Sequence, residues 1–139
     1  MTTISRVLSF SLFLVSFASA ALAEPCLPYE PSTVQLSGKL VRKNLPGEPE
    51  YESIAKGDRS ETTWFLDLPK AICVDPGKDE LQPGESDVKR VQLVLLLTAS
   101  QKPQLANSVG KNVTMSGTLF HSHTGHHHSK ILLSVTEME

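Results

Sequence analysis

Five histidines, which are all that the chain contains, lie within eight residues near its C-terminal end. Imidazole nitrogen is a preferred ligand of Zn²⁺, Cu²⁺ and Ni²⁺, and it is also the side-chain group whose charge changes near neutral pH. The segment therefore predicts a transition-metal site or a pH-sensitive loop, and a solvated loop without a ligand is the third interpretation. The residues are His121, His123, His126, His127 and His128.

A β-hairpin over the histidine segment would place the candidate metal ligands in a defined geometry. If Thr124-Gly125 forms a tight two-residue turn, His123 lies opposite His126, and His121 lies opposite His128. Residues that are opposite in an antiparallel pair, or two apart on one strand, share a face. We therefore predict that four imidazoles project from one side of the hairpin, and that two or three of them converge on Zn²⁺, Cu²⁺ or Ni²⁺ at about 2.0 to 2.1 Å. The predicted ligands are His121, His123, His126 and His128.

Catalytic motifs are weaker in this chain. Ser122 and Ser129 stand beside histidines, but neither lies in a Gly-x-Ser-x-Gly nucleophile motif. Glu52, Asp58 and Glu61 fall in a segment whose composition is typical of a solvated loop. Three histidines and a water also form a catalytic zinc arrangement, so metal-dependent hydrolysis stays open. We expect a binding protein rather than an enzyme.

The N-terminal segment predicts export. A short basic stretch ending at Arg6 precedes the apolar run of residues 7–17, and Ala21-Leu22-Ala23 is a small-x-small cleavage pattern. The apolar run to Ala23 is about 16 residues, shorter than the roughly 20 that a membrane-spanning helix needs. We therefore predict a signal peptide over residues 1–23, rather than a signal anchor, and a periplasmic or secreted domain over residues 24–139.

The cysteine count and the net charge bear on the disulfide content of the exported domain and on its possible partners. Cys26 and Cys73 form an even pair, which in an oxidising compartment favours a disulfide. A mixed Cys/His metal site is the alternative, because thiolate and imidazole are both metal ligands. The net charge of −2 and the lack of a Lys/Arg cluster argue against nucleic acid as a partner.

Alternation of apolar and polar residues predicts a mostly β domain. Strands are expected at 34–41, 64–68, 91–97, 113–120 and 131–135, with a short helix between Ser100 and Gly110 whose apolar face carries Leu105, Ala106 and Val109. This β-β-β-α-β-β order is that of a five-stranded OB-like barrel. A β-sandwich is the alternative fold.

Two features of this pattern bear on the site. Ser-Gly recurs in the first and fourth strands, at Gly38 and Gly117, where a strand-interior glycine predicts a bulge or sharp bend. The histidines and the segment 44–62, which reads as a loop, fall between strands four and five and between strands one and two. In OB-folds these two loops flank the ligand-binding face.

Several motifs resemble those of one protein family. The segments Tyr51-Glu-Ser-Ile-Ala-Lys-Gly-Asp58 and Gly117-Thr-Leu-Phe-His-Ser-His-Thr-Gly-His-His-His128 are similar to a family of small exported bacterial proteins described as a domain of unknown function. The resemblance implies a Gram-negative envelope protein, sometimes accompanied by a domain similar to secreted lysozyme inhibitors, without an established ligand. It also implies that the stretch from Tyr51 to Asp58 is ordered, with the rings of Tyr51 and Trp64 either packing beside the histidines or covering the core.

The sequence thus predicts an exported OB-like binding module with a transition-metal site on the loop between its last two strands. The alternative is a protein-interaction or inhibitor module. Its partner would be an envelope protein that meets the histidine segment together with the 44–62 loop.

Overall fold

A computed structural model gives the structure of residues 24–139, so the predicted signal peptide lies outside the described residues. The elements follow the predicted order. They are β1 (Thr33–Pro46), a 3₁₀ turn (Ile54–Lys56), β2 (Ser60–Val74), β3 (Glu85–Leu95), α1 (Lys102–Asn107), β4 (Asn112–His121) and β5 (Ile131–Met138).

The five strands form one closed barrel in the order β1-β2-β3-β5-β4. β4 pairs with β1 and closes the ring, and β3 pairs with β5 in parallel, whereas the other neighbours are antiparallel. This is the connectivity expected of an OB-like barrel, so the predicted fold is confirmed and the β-sandwich is excluded.

Closure of the barrel depends on β1, which pairs with two different strands along its length. Residues 33–39 pair with β4 and residues 39–46 pair with β2. Gly38 lies beside this change of partner, where a Cβ would collide with the backbone carbonyl of Asp67. A Cβ at Gly117 would likewise collide with the carbonyl of Ser134, and the β4–β5 register shifts between Ser116 and Gly117. Both glycines therefore permit close backbone contact where strands bend, as predicted.

The barrel interior is filled by inward-facing residues from all five strands. Alternation along each strand places one set of side chains inside and the other outside. Leu105 of α1 is also buried. The fully buried interior residues include Leu40, Leu66, Val91, Met115, Leu119, Ile131, Leu133 and Val135.

The helix is shorter than its apolar spacing predicted. α1 ends at Asn107, Ala106 is exposed and Val109 is 40% exposed, so Leu105 alone of the three expected residues packs inward. Gly110 has φ +81°, and its N–H donates to the carbonyl of Leu40 at 2.8 Å. Gly110 therefore turns the chain towards β4.

Several strand boundaries also differ from the prediction. β1 and β2 extend into the expected 44–62 loop, which shortens to residues 47–59. β2 continues through the exposed Pro69, where the β2–β3 pairing is irregular between Asp67 and Ile72. Proline lacks an N–H, and an irregular stretch of pairing tolerates that loss. β3 ends at Leu95, and the next residue, Leu96, is 61% exposed.

A disulfide joins Cys26 to Cys73 and fastens the N-terminal arm to the end of β2. Leu27 adds two backbone hydrogen bonds of 2.9 Å, with Cys73 and Asp75. The predicted bridge is confirmed, and because both sulfurs are bonded, the alternative Cys/His metal site is wrong. Such a bridge fits an oxidising compartment. Within residues 24–139, no helix has the length and apolar character needed to cross a membrane.

Replacing Gly117 by alanine is expected to destabilise the barrel, because the added methyl group forces β4 away from the Ser134 carbonyl. We expect a loss of about 2 kcal/mol in the free energy of unfolding, measured by urea denaturation. The neighbouring Ser116→Ala variant is the control and should change stability by less than about 0.5 kcal/mol. Equal stability of the two variants would contradict the assigned role of Gly117.

Candidate functional site

The segment between β4 and β5 is a wide loop, which we call the histidine loop (residues 122–130). The strands separate after the pair His121 and Ile131, and the N–H of His127 donates to the carbonyl of Thr124 at 3.2 Å. The turn is therefore longer and lies one residue later than predicted. The predicted pairings of His123 with His126 and of His121 with His128 are wrong, because pairing has already ended at His121.

His121 is held at the end of the barrel by charged neighbours. Its Nε2 lies 3.1 Å from Oε1 of Glu85, and its Nδ1 lies 3.0 Å from the carbonyl of Ser122. The other oxygen of Glu85 accepts a hydrogen bond from Lys130 at 3.2 Å. The hydrogen bond from His121, followed by that from Lys130, lowers the pKa of Glu85 against the opposing effect of desolvation. Both ring nitrogens of His121 thus have polar neighbours already.

His126 joins the histidine loop to the loop between β1 and β2. The hydroxyl of Tyr51 lies 2.7 Å from its Nδ1, and the two ring centroids are 4.4 Å apart. Desolvation, followed by the charges of Glu48 and Glu61, raises the pKa of Tyr51 above its ordinary value. The hydroxyl therefore keeps its proton at neutral pH, and it lies within hydrogen-bond distance of the His126 ring.

His123 and His127 are the two histidines whose rings lie side by side. Their centroids are 4.8 Å apart in an edge-to-face arrangement, and the backbone N–H of His123 donates to Nδ1 of His127 at 3.1 Å. The ring of Phe120 packs on His127 at 5.6 Å. Desolvation, followed by the neighbouring histidines, lowers the pKa of His127. His127 is therefore neutral at pH 7, which is the form that binds metals.

Gln92 fastens the backbone of the histidine loop to β3. Its side chain is only 7% exposed; the amide nitrogen donates to the carbonyl of His126 at 3.3 Å, and the amide oxygen accepts the N–H of His128 at 2.6 Å. Among the described residues, one buried side-chain polar atom has no hydrogen-bond partner, and it is Nε2 of His128.

The histidine loop covers part of the outward face of the barrel. Phe65, Gln92 and Leu132 are cross-strand neighbours on β2, β3 and β5, and they alternate with interior residues. Nevertheless, Phe65 is 2% exposed and Leu132 is 0% exposed. Gln92 bonds to the loop, and Phe120, which pairs with Leu132, contacts His127. In OB-folds the outward surface of strands two and three is where ligands bind, so the loop lies over that side.

The loop between β1 and β2 (residues 47–59) is built around a buried carboxylate. Asp58 accepts backbone N–H bonds from Glu50, Glu52 and Ser53 at 3.0, 2.8 and 2.7 Å. These bonds, led by that from Ser53, lower the pKa of Asp58. The expectation of a solvated carboxylate at this position is wrong, because only 8% of the residue is exposed.

The order implied for the stretch from Tyr51 to Asp58 is therefore observed, and Tyr51 packs beside His126. Trp64 does not share that position. It lies on the inward side of β2 and packs against the core, with the guanidinium of Arg42 at 5.9 Å from its ring. One of the two aromatic residues expected beside the histidines is thus found there.

Within residues 24–139, no three His, Cys, Asp or Glu side chains are arranged to hold a metal ion. Of the predicted ligands, His121 turns to Glu85 and His126 to Tyr51, while the main chain of His128 is held by Gln92. Glu85 and Gln92, which contact the histidine segment, were not predicted from the sequence. Gln92 carried a signal, since it is a polar residue inside the most apolar strand of the domain.

The comparison with protein families matches residues 90–139 to a domain of unknown function, DUF4431. This match confirms the resemblance to a family of unknown function, and it spans Gln92, the helix, the histidine loop and the last two strands. A search of curated proteins finds no match.

Replacing Asp58 by asparagine is expected to loosen the 47–59 loop, because both carboxylate oxygens accept backbone N–H bonds, whereas an amide has one oxygen acceptor and a nitrogen that only donates. Hydrogen-exchange protection of the amides of Glu50, Glu52 and Ser53 should fall at least tenfold, measured by NMR. Because the folded-state pKa of Asp58 is lowered, its contribution is full above the ordinary carboxyl pKa of about 3.9 and is lost as the pH falls below it. An acid-induced loss of protection that is the same in Asp58→Asn would contradict this assignment.

Proposed function

We propose that this chain is an exported binding module whose histidine loop takes up a transition-metal ion. The observation that carries the proposal is the adjacency of His123 and His127 at 4.8 Å, with the neutral form of His127 favoured by its surroundings. Two adjacent imidazoles on one loop are a starting point for Zn²⁺, Cu²⁺ or Ni²⁺, which favour nitrogen ligands. The bonded Cys26–Cys73 pair supports export.

A third ligand would come from the same loop. His126 precedes His127 directly, and its side chain is exposed apart from the contact with Tyr51. A rotation of this ring away from Tyr51 brings a third nitrogen towards the pair, and water completes a four-coordinate site. His121 is the least suited of the predicted ligands, since Glu85 and the Ser122 carbonyl already contact its ring.

Calorimetric titration of untagged residues 24–139 with Zn²⁺, Cu²⁺ and Ni²⁺ at neutral pH tests the proposal. We expect one-to-one binding of at least one ion with a Kd below about 1 μM, which corresponds to about 8 kcal/mol. The His123→Ala/His127→Ala variant should bind at least tenfold more weakly, whereas the control His121→Ala should stay within about twofold. Weak binding of several ions that is equal in all three proteins would refute the site.

A second function is favoured by the contact between the two loops. Tyr51 and His126 join the 47–59 loop to the histidine loop, and Asp58 makes the former rigid before any partner arrives. Ile54, at the 3₁₀ turn of this surface, is 45% exposed. A preorganised loop pair with an apolar side chain suits a protein-interaction or inhibitor module for an envelope protein.

Site-specific photo-crosslinking in the bacterial envelope distinguishes this second function. A photoreactive residue in place of Ile54 should give one discrete cross-linked product, and a chelator should not abolish it. The same residue in place of the exposed Gln35, on the β1–β4 surface, is the control and should give none. Identical products from both positions, or none from either, would count against a protein partner at the loop surface.

A further inference from the structure

The contacts of the histidine loop point to a conformational coupling that rests on the proposed metal site. We propose that Tyr51 and Gln92 latch the loop over the outward face of the barrel, and that metal binding releases this latch. The ion would then uncover the part of this surface that contains Leu132. The coupling makes the loop a metal-responsive cover rather than a static ligand set.

In this structure, the candidate metal ligands and the main chain beside them are held by other groups. The ring of His126 contacts Tyr51, and the main chain on either side of His127 is bonded to Gln92 through the carbonyl of His126 and the N–H of His128. The described residues hold no three ligands together in this arrangement. Recruitment of the His126 ring to an ion at His127 must break its contact with Tyr51, and a turn of the main chain that brings these two adjacent rings together would also break its bonds to Gln92.

The histidine loop covers apolar side chains on the outward face of the barrel. Leu132 faces outward between Gln92 and Phe120, and it is 0% exposed. Phe65 is the outward neighbour of Gln92 on the other side, and the guanidinium of Arg90 lies 5.3 Å from its ring. Removal of the loop bonds at Gln92 would open the Leu132 side of this row to solvent.

The strength of the latch affects the apparent affinity for the metal ion. When only a fraction of the protein molecules has the conformation that binds the ion, the apparent affinity for the ion is reduced by that fraction. A weaker latch raises the fraction and so tightens metal binding. The Tyr51→Phe variant retains the ring that packs on His126 but loses the hydroxyl bond. Since one such bond contributes about 0.5 to 1.5 kcal/mol, Zn²⁺ should bind roughly two- to tenfold more tightly.

Tyr29→Phe is the matched control for this measurement. Tyr29 is the other tyrosine of the chain, and its hydroxyl donates to the carbonyl of Pro83 at 2.7 Å, a contact outside the two loops. This variant loses a hydroxyl bond of the same length elsewhere in the barrel. Its Zn²⁺ affinity should equal that of the wild type.

Uncovering is measured directly on two adjacent leucines by NMR. Leu132 and Leu133 are both 0% exposed, but Leu132 faces the loop whereas Leu133 belongs to the interior core. A soluble nitroxide should leave both sets of methyl resonances sharp without metal. After addition of Zn²⁺ to saturation, the Leu132 methyl signals should broaden and those of Leu133 should not.

The outcomes separate the coupling from the proposed function. Saturable Zn²⁺ binding with unchanged Leu132 signals and equal Kd values for the wild type and Tyr51→Phe would overturn the latch and leave the metal site standing. Absence of Zn²⁺ binding in both proteins would overturn the metal site and the latch together. Broadening of Leu132 and Leu133 alike would indicate opening of the whole barrel and would also overturn the latch.

Discussion

Closure of the sheet through β1 is the constraint on which the other features depend. β1 pairs first with β4 and then with β2, so one strand links both sides of the barrel. Gly38 and Gly117 permit this because their missing side chains leave room for neighbouring carbonyl groups. Once the ring is closed, β3 and β5 must pair in parallel, and the connection from β4 to β5 lies beside the outward surface of β3.

This geometry explains why two loops distant in sequence meet. Tyr51 and His126 are separated by 75 positions, yet their side chains are in contact. The meeting is possible because each loop has a defined shape: the Asp58 carboxylate bonds three amides within the 47–59 loop, and the side chain of Gln92 fastens the histidine loop to β3. The surface formed by the loops is thus specified by buried polar groups rather than by the exposed histidines alone.

The sequence predicted the architecture better than the site. Alternation identified all five strands, and the Ser-Gly steps located two points of close backbone approach, because these features depend on local spacing. The four-histidine face failed because hairpin register depends on where pairing ends, and the wide turn places the last pair at His121. Glu85 and Gln92 were not predicted, since their roles arise only when distant strands bring them to the loop.

The disulfide divides the domain in a way that bears on its two loops. The covalent ring closed by Cys26 and Cys73 contains β1, the 47–59 loop and most of β2. The histidine loop lies outside that ring, in the part matched by the family of unknown function, and only strand pairing and side-chain contacts hold it in place. Tyr51 therefore belongs to a covalently tethered half of the molecule and His126 to an untethered half. Their contact is a noncovalent seam between the two halves, so the disulfide restrains the chain that carries Tyr51 but places no covalent restraint on the histidine loop.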